Sequence, residues 1–207
     1  MKFYDSIGPN PRVVRMAMAE KGISLPTETI DIMAGANRSG DYIKKVPAGG
    51  TPALELDDGR IVSEITVIAE YLEDRHPTPA IIGTTAEERA ETRKWVRIID
   101  LGYCEPMANG FRATEGRPMF TGRFPLSSES GGQELKAIAA QKLQWLDGLM
   151  QARGPGDFIC GDRFTLADIL LFCFMEFGGQ VGQPMPDGLA WIPGWRARVA
   201  ARPSAAA

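Results

Sequence analysis

Residues 49–77 constrain this chain more than any other stretch: GGTPALELDDGRIVSEITVIAEYLEDRHP. Thr51-Pro52 opens a strand over 53–56, Asp58-Gly59 supplies a favoured hairpin turn, and residues 60–62 return as a second strand. Ser63-Glu64 then leads into a helix whose apolar residues Ile65, Ile68, Ala69 and Leu72 fall at i, i+3, i+4 and i+7, one helical face. A hairpin feeding a helix start leaves backbone N–H groups free to hold an anion.

The flanking sequence extends the pattern. Residues 2–5 read as a strand, followed by the loop Ser6-Ile7-Gly8-Pro9-Asn10-Pro11. Pro11 suits the first turn of a helix, Val14, Ala17, Met18 and Lys21 keep helical spacing, and Gly22 is a stop. Residues 27–32 alternate as a second strand, 34–40 form a loop and 41–45 a helical turn. The order β-α-β-α-β-β-α predicts one small mixed sheet, its first two strands parallel with a right-handed crossover. After Leu72 the text changes. His76-Pro77-Thr78-Pro79 ends the helix, and no later segment reads as a strand. Helices are predicted over 86–113 with a bend at Pro106, then over 133–153, 166–177 and 193–201, with a loop over 116–132. Thr165 and Asp168 have capping-box spacing, Phe164 and Ile169 occupy the hydrophobic-staple positions, and the helix after them is apolar all round, hence buried. The fold class is an α/β domain over 1–77, a linker over 78–85 and an all-α domain over 86–207.

Composition excludes several classes of function. With 44% apolar and 24% charged residues and a net charge of −3, the 207-residue chain has a globular core and no basic footprint for nucleic acid. The N-terminus has no charged and apolar leader pattern, and the longest apolar run, 169–175, falls short of the ~20 residues that span a bilayer. Three widely spaced cysteines and one histidine, His76, fit reduced thiols in the cytoplasm and predict no metal site.

FYDSIGPNPRVVRMAMAEKGI near the start, the 49–77 stretch, and ICGDRFTLADILLF near the end together resemble the glutathione transferase family over essentially the whole chain. With FRATEG at 111–116, the pattern is most similar to the atypical yeast and bacterial branch. The resemblance implies a thioredoxin-like domain, a helical domain, a homodimer, and glutathione as co-substrate in detoxification. It implies that Pro52 is cis and that the Thr51 backbone pairs with the cysteinyl part of glutathione. It also puts Glu64 beside the γ-glutamyl ammonium and the Ile65 N–H beside the γ-glutamyl carboxylate, and brings Asn37 and Arg38 near the glycine carboxylate. Two positions depart from the family. Ile65 stands where a serine is usual, and Gly50 where a Lys or Gln anchor is common.

Activating the glutathione thiol requires donors aimed at a thiolate. By the same resemblance the candidates are Asn10 and Ser6, with Asn10 reading equally as a helix N-cap. Arg112 falls where the branch has a histidine, and reads either as a cation for a thiolate or anionic substrate or as a solvated helix residue. Tyr103, Met107 and Phe111, at i, i+4 and i+8, are candidates to line the pocket for a small hydrophobic electrophile, or to pack the helical core. The alternatives to transfer are a glutathione-dependent lyase or isomerase, or a non-catalytic glutathione-binding protein on the same fold. A reductase is disfavoured, because no cysteine precedes Cys104.

Overall fold

Alternation along two short strands builds the first unit. In β1 (Lys2–Asp5) Phe3 and Tyr4 are both buried, and successive strand side chains point to opposite faces. The computed structural model describes all 207 residues. It orders a four-stranded sheet β2-β1-β3-β4, with β2 at Thr27–Thr29, β3 at Ala53–Glu55 and β4 at Ile61–Ser63. β1 and β2 are parallel, and the other two pairs are antiparallel. Phe3 and Leu54 pack with Val14 and Met18 of α1 (Pro9–Glu20) and with Ile68 and Leu72 of α3 (Ile65–Arg75). On the other face Tyr4 and Ala53 meet Tyr42 of α2 (Gly40–Lys45), Ile30 and Val46. This is the thioredoxin-like domain expected. β2 is shorter than the alternation suggested, and all three of its residues are exposed at the sheet edge.

Two compact units divide the chain, one of Met1–Thr84 with Pro203–Ala207 and one of Thr85–Arg202. Most of the segment read as a linker therefore belongs to the first unit. The physical reason is Glu73 on α3. Its carboxylate accepts from Ile81 N (3.1 Å), Ile82 N (2.9 Å) and Gly83 N (3.3 Å), and pairs with Lys21 Nζ at 2.6 Å. Lys21 Nζ also donates to the Pro79 carbonyl at 2.8 Å, so one buried ion pair holds the far ends of α1 and α3 and residues 79–83 together. Five residues from the C-terminus join the same unit. Arg12 Nη2 donates to Ala205 O at 2.9 Å, and Ser204 hydrogen-bonds Glu20.

The second unit is all helical. Its helices are α4 (Ala86–Ile99), α5 (Glu105–Ala113), α6 (Arg117–Phe120), α7 (Glu129–Arg153), α8 (Leu166–Gln180) and α9 (Ile192–Ala200). The single long helix expected over 86–113 is interrupted by a π-helical turn, Asp100–Cys104, which ends two residues before Pro106. Proline has no N–H for the carbonyl one turn back, and a wider turn there absorbs the mismatch. The expected loop over 116–132 contains α6 and the first turn of α7. Gly132 there, and Gly110 of α5, serve packing. A Cβ on Gly132 would lie 2.8 Å from the Ala113 Cβ, and one on Gly110 would lie 3.0 Å from Gly132 O, so α5 and α7 approach to backbone contact. The capping box forms, with Thr165 N donating to Asp168 Oδ2 at 2.9 Å. Asp168 also accepts from Ile159 N (2.9 Å) and Trp195 Nε1 (2.8 Å), which ties α8 to α9 and to the turn before it. No helix is long and apolar enough to cross a membrane.

Candidate functional site

The sheet register brings three loops together. Tyr4 pairs with Ala53, and Ala53 pairs with Ser63. One step further along each antiparallel ladder, Asp5 comes opposite Pro52 and Pro52 opposite Glu64; two steps bring Ser6 opposite Thr51. Side-chain geometry agrees. Ser6 Oγ lies 2.6 Å from Thr51 Oγ1 and 3.1 Å from the Ile7 carbonyl, and Ser6 is 3% exposed. Arg15 of α1 steadies the first loop, donating to Asp5 Oδ1 at 2.6 Å and to Ser6 O at 3.3 Å.

The middle loop is held from beneath. The Thr51–Pro52 peptide is cis, and Pro52 is buried. Asn37 Nδ2 donates to Gly49 O at 2.6 Å, and Tyr42 OH donates to Gly50 O at 2.5 Å. Burial and the nearby Tyr4 push the Tyr42 hydroxyl up to about 12, so it remains a donor at neutral pH. Gly49 has φ +64, and a Cβ there would meet Asn37 O at 3.1 Å. Asn37, expected to contact a ligand carboxylate, is instead 93% buried and spent on the scaffold, and its Oδ1 has no partner. Gly50 lacks a side chain, but its carbonyl is the point at which Tyr42 fixes the loop. Arg38 is exposed on the same 3₁₀ turn, Ala36–Arg38.

Glu64 is the one non-glycine residue at positive φ (φ 70, ψ 124). It is exposed, caps α3 through its backbone, and makes no side-chain capping bond. A non-glycine residue in that region carries strain of ~1–3 kcal/mol, and such strain gathers at binding sites. Ile68 N makes the first helical bond, to Glu64 O at 2.9 Å. The N–H groups of Ile65, Thr66 and Val67 precede that first bond, at the positive end of the helix dipole. Ile65 turns inward, packing its side chain against the Phe3 core.

The start of α1 differs sharply from that of α3. The helix begins at Pro9, two residues earlier than expected, with Gly8 (φ 110) as its cap. Asn10 is therefore the second helical residue, and its reading as the N-cap falls. Pro9 and Pro11 lack N–H groups, so two of the four donors a helix start normally offers are missing. The half-buried Asn10 amide has no protein partner and is a side-chain donor at that end.

Of the residues expected in the second unit, Tyr103 and Met107 are 2% and 0% exposed, on the π turn and on α5. They pack the helical core and offer no surface to a small molecule. Phe111 and Arg112, two and one residues before the end of α5, are only partly buried. Burial pushes the Cys104 thiol well up, and Cys160 and Cys173 are buried too, so none is a ready nucleophile. Sequence reasoning missed Tyr42, whose hydroxyl fixes the middle loop. Only its place on the buried side of a short helix could have signalled it.

Comparison with known proteins fits this arrangement. Residues 7–75 match the glutathione S-transferase N-terminal domain and residues 119–203 the C-terminal domain. Glutathione S-transferase 2 of Saccharomyces cerevisiae is 28% identical over 208 residues, covering 99% of this chain and 87% of the yeast protein. A glutathione S-transferase domain-containing protein from Marinobacter aquaeolei superposes with a TM-score of 0.90 at 33% identity, covering 99% of both chains. The structure of yeast Gtt2 superposes with a TM-score of 0.89 at 27% identity, over 99% of this chain and 98% of that one. The chain belongs to the glutathione S-transferase family, in its yeast and bacterial branch.

Proposed function

We propose that the protein is a cytoplasmic, homodimeric glutathione transferase that adds the glutathione thiolate to a small hydrophobic electrophile. The observation that carries this reading is the convergence of Ser6, Thr51–Pro52 and the strained Glu64 at one end of the sheet. The Thr51 backbone pairs with the cysteinyl peptide unit. The γ-glutamyl carboxylate lies on the Ile65 N–H and its neighbours at the start of α3, and its ammonium meets the Glu64 carboxylate. Arg38 reaches the glycine carboxylate. Asn37 and Tyr42 act only by holding the loop.

Thiolate stabilisation falls to the Asn10 amide. The single hydroxyl hydrogen of Ser6 already has Thr51 and Ile7 as acceptors within reach, whereas the Asn10 donor has none. A second reading, a glutathione-binding protein without transferase activity, draws support from the two prolines that thin the donors at the start of α1. Retention on immobilised glutathione with turnover of 1-chloro-2,4-dinitrobenzene tests both. Retention and turnover together are expected. Retention without turnover of this or other aryl halides would favour the second reading, and loss of retention would remove the proposed binding site.

A further inference from the structure

Four phenylalanines gather beside two cations in the helical unit. Phe111 packs edge-to-face on Phe120 (centroids 6.0 Å apart) and on Phe177 (5.3 Å), and Phe120 lies 5.7 Å from Phe124. The Arg112 guanidinium stands 5.9 Å from the Phe120 centroid and 5.8 Å from that of Phe124, and Arg123 approaches the Phe120 ring at 5.6 Å. Both arginines and all four rings are only partly buried, so the group still meets solvent.

The charges are not matched internally. Several arginines elsewhere pair with carboxylates, as Arg15 does with Asp5, Arg163 with Glu91 and Arg196 with Glu176, while Arg117 and Arg153 bond backbone carbonyls. Arg112 and Arg123 pair with none. Arg112 makes one hydrogen bond, from Nη1 to Asn109 Oδ1 at 2.8 Å, and Asn109 in turn donates to the exposed Glu105 at 3.0 Å. A guanidinium offers five donors in a planar fork, so most of this fork is unused. Burial lowers the Arg112 pKa, outweighing the opposing pull of the Glu105 carboxylate, the mark of a cation partly stripped of water, though a guanidinium stays protonated at neutral pH. Two like charges on one phenyl ring, half desolvated, are costly unless an anion joins them. A carboxylate or sulfonate on a flat ring supplies both missing parts. Its oxygens fit the guanidinium fork, and its ring stacks on phenylalanine.

We propose that the cluster of Arg112, Arg123, Phe120 and Phe124 binds an aromatic ring bearing a carboxylate or sulfonate.

The test uses the intact protein without glutathione, titrated calorimetrically with 4-chloro-3-nitrobenzoate and with its neutral methyl ester. The acid is expected to bind at least about tenfold tighter, the equivalent of ~1.4 kcal/mol. Arg112→Gln is expected to abolish that preference, Arg112→Lys to keep part of it, and Arg123→Gln to reduce it. Acetate is expected not to compete, since a bare anion lacks the ring. Equal affinity for acid and ester, no measurable binding of the acid, or a preference surviving in the Arg112→Gln Arg123→Gln double variant would each overturn the proposal. Arg123 lies in the turn after α6, so Arg123→Gln carries the test if Arg112→Gln does not fold. Acid-selective binding with no conjugation of any aryl halide would overturn the transferase reading and leave the binding site standing.

Discussion

Glu64→Gly is expected to make the protein more stable and a worse binder of glutathione. Glu64 holds φ 70 and ψ 124, where a side chain is strained. Relief of such strain is worth ~1–3 kcal/mol. Glycine adopts positive φ freely, but its looser unfolded chain offsets ~0.5–1 kcal/mol of that gain. No hydrogen bond or ion pair of the Glu64 side chain is lost, so the net gain is about 0–2.5 kcal/mol, up to several degrees in Tm. The same change deletes the carboxylate proposed to meet the γ-glutamyl ammonium. A charge-assisted hydrogen bond contributes ~1.5–3 kcal/mol, so the glutathione Kd is expected to rise by about 10- to 150-fold. Urea unfolding at pH 7 and calorimetric titration with glutathione read the two effects separately. Glu64→Gln is the control, since it keeps the strained backbone and loses only the charge. Its stability is expected to match the parent while its binding weakens. A Glu64→Gly protein less stable than the parent would refute the strain argument, and one that binds glutathione unchanged would refute the role of the carboxylate.

Asn10→Ala is expected to lower kcat for an aryl halide by about tenfold or more with glutathione binding retained, and Ser6→Ala to lower it less; equal rates for Asn10→Ala and the parent would move activation elsewhere. Glu73→Gln leaves the fully buried Lys21 ammonium without its counter-charge and is expected to cost ~3–5 kcal/mol in urea unfolding, and Lys21→Met Glu73→Leu removes the ion pair but strips the Ile81, Ile82 and Gly83 N–H groups of their acceptor, so it is expected to be destabilised as well. Acid unfolding checks the same pair. Burial pushes the Glu73 carboxyl up, but the Lys21 ammonium and the Ile82 and Ile81 N–H groups outweigh it and hold its pKa below the usual value. Its contribution is full above the unfolded pKa of ~4.3 and is lost as pH falls through the lower folded value, so the parent is expected to lose stability below about pH 4 more steeply than the double variant. Ile65→Ser is expected to tighten glutathione binding by about fivefold through one added hydrogen bond, seen as a lower KM, and to lower Tm because Ile65 packs on the Phe3 core.

The parts of this molecule that local chemistry decides could be read from the chain. Asp58-Gly59 fixes a hairpin turn by its own dihedral preferences, and Thr165 with Asp168 closes a capping box within four residues. Where the sequence offered two equivalent signals, the reading slipped. Pro9 and Pro11 both suit a helix start, and choosing the later one made Asn10 look like a cap. Other features depend on partners distant in sequence. Asn37 could not be recognised as scaffold because its acceptor, Gly49 O, is twelve residues away across a fold not yet built. Pro106 signalled a bend in a long helix, but the π turn that makes it depends on how that helix packs. Residues 203–207 carry no periodic pattern. They are placed by the guanidinium of Arg12, at the other end of the chain.

That last contact gives the chain a nested layout. The helical unit is an insertion within the sheet-bearing unit, with one junction at 84/85 and the other at 202/203. A fragment cut after residue 84 would lack the carbonyl that Arg12 uses and the hydroxyl that meets Glu20, so it would be an incomplete domain. Recombination between relatives faces the same restriction. A chimera that exchanges helical units keeps its first unit whole only when the crossover is made twice, with the final five residues inherited together with α1.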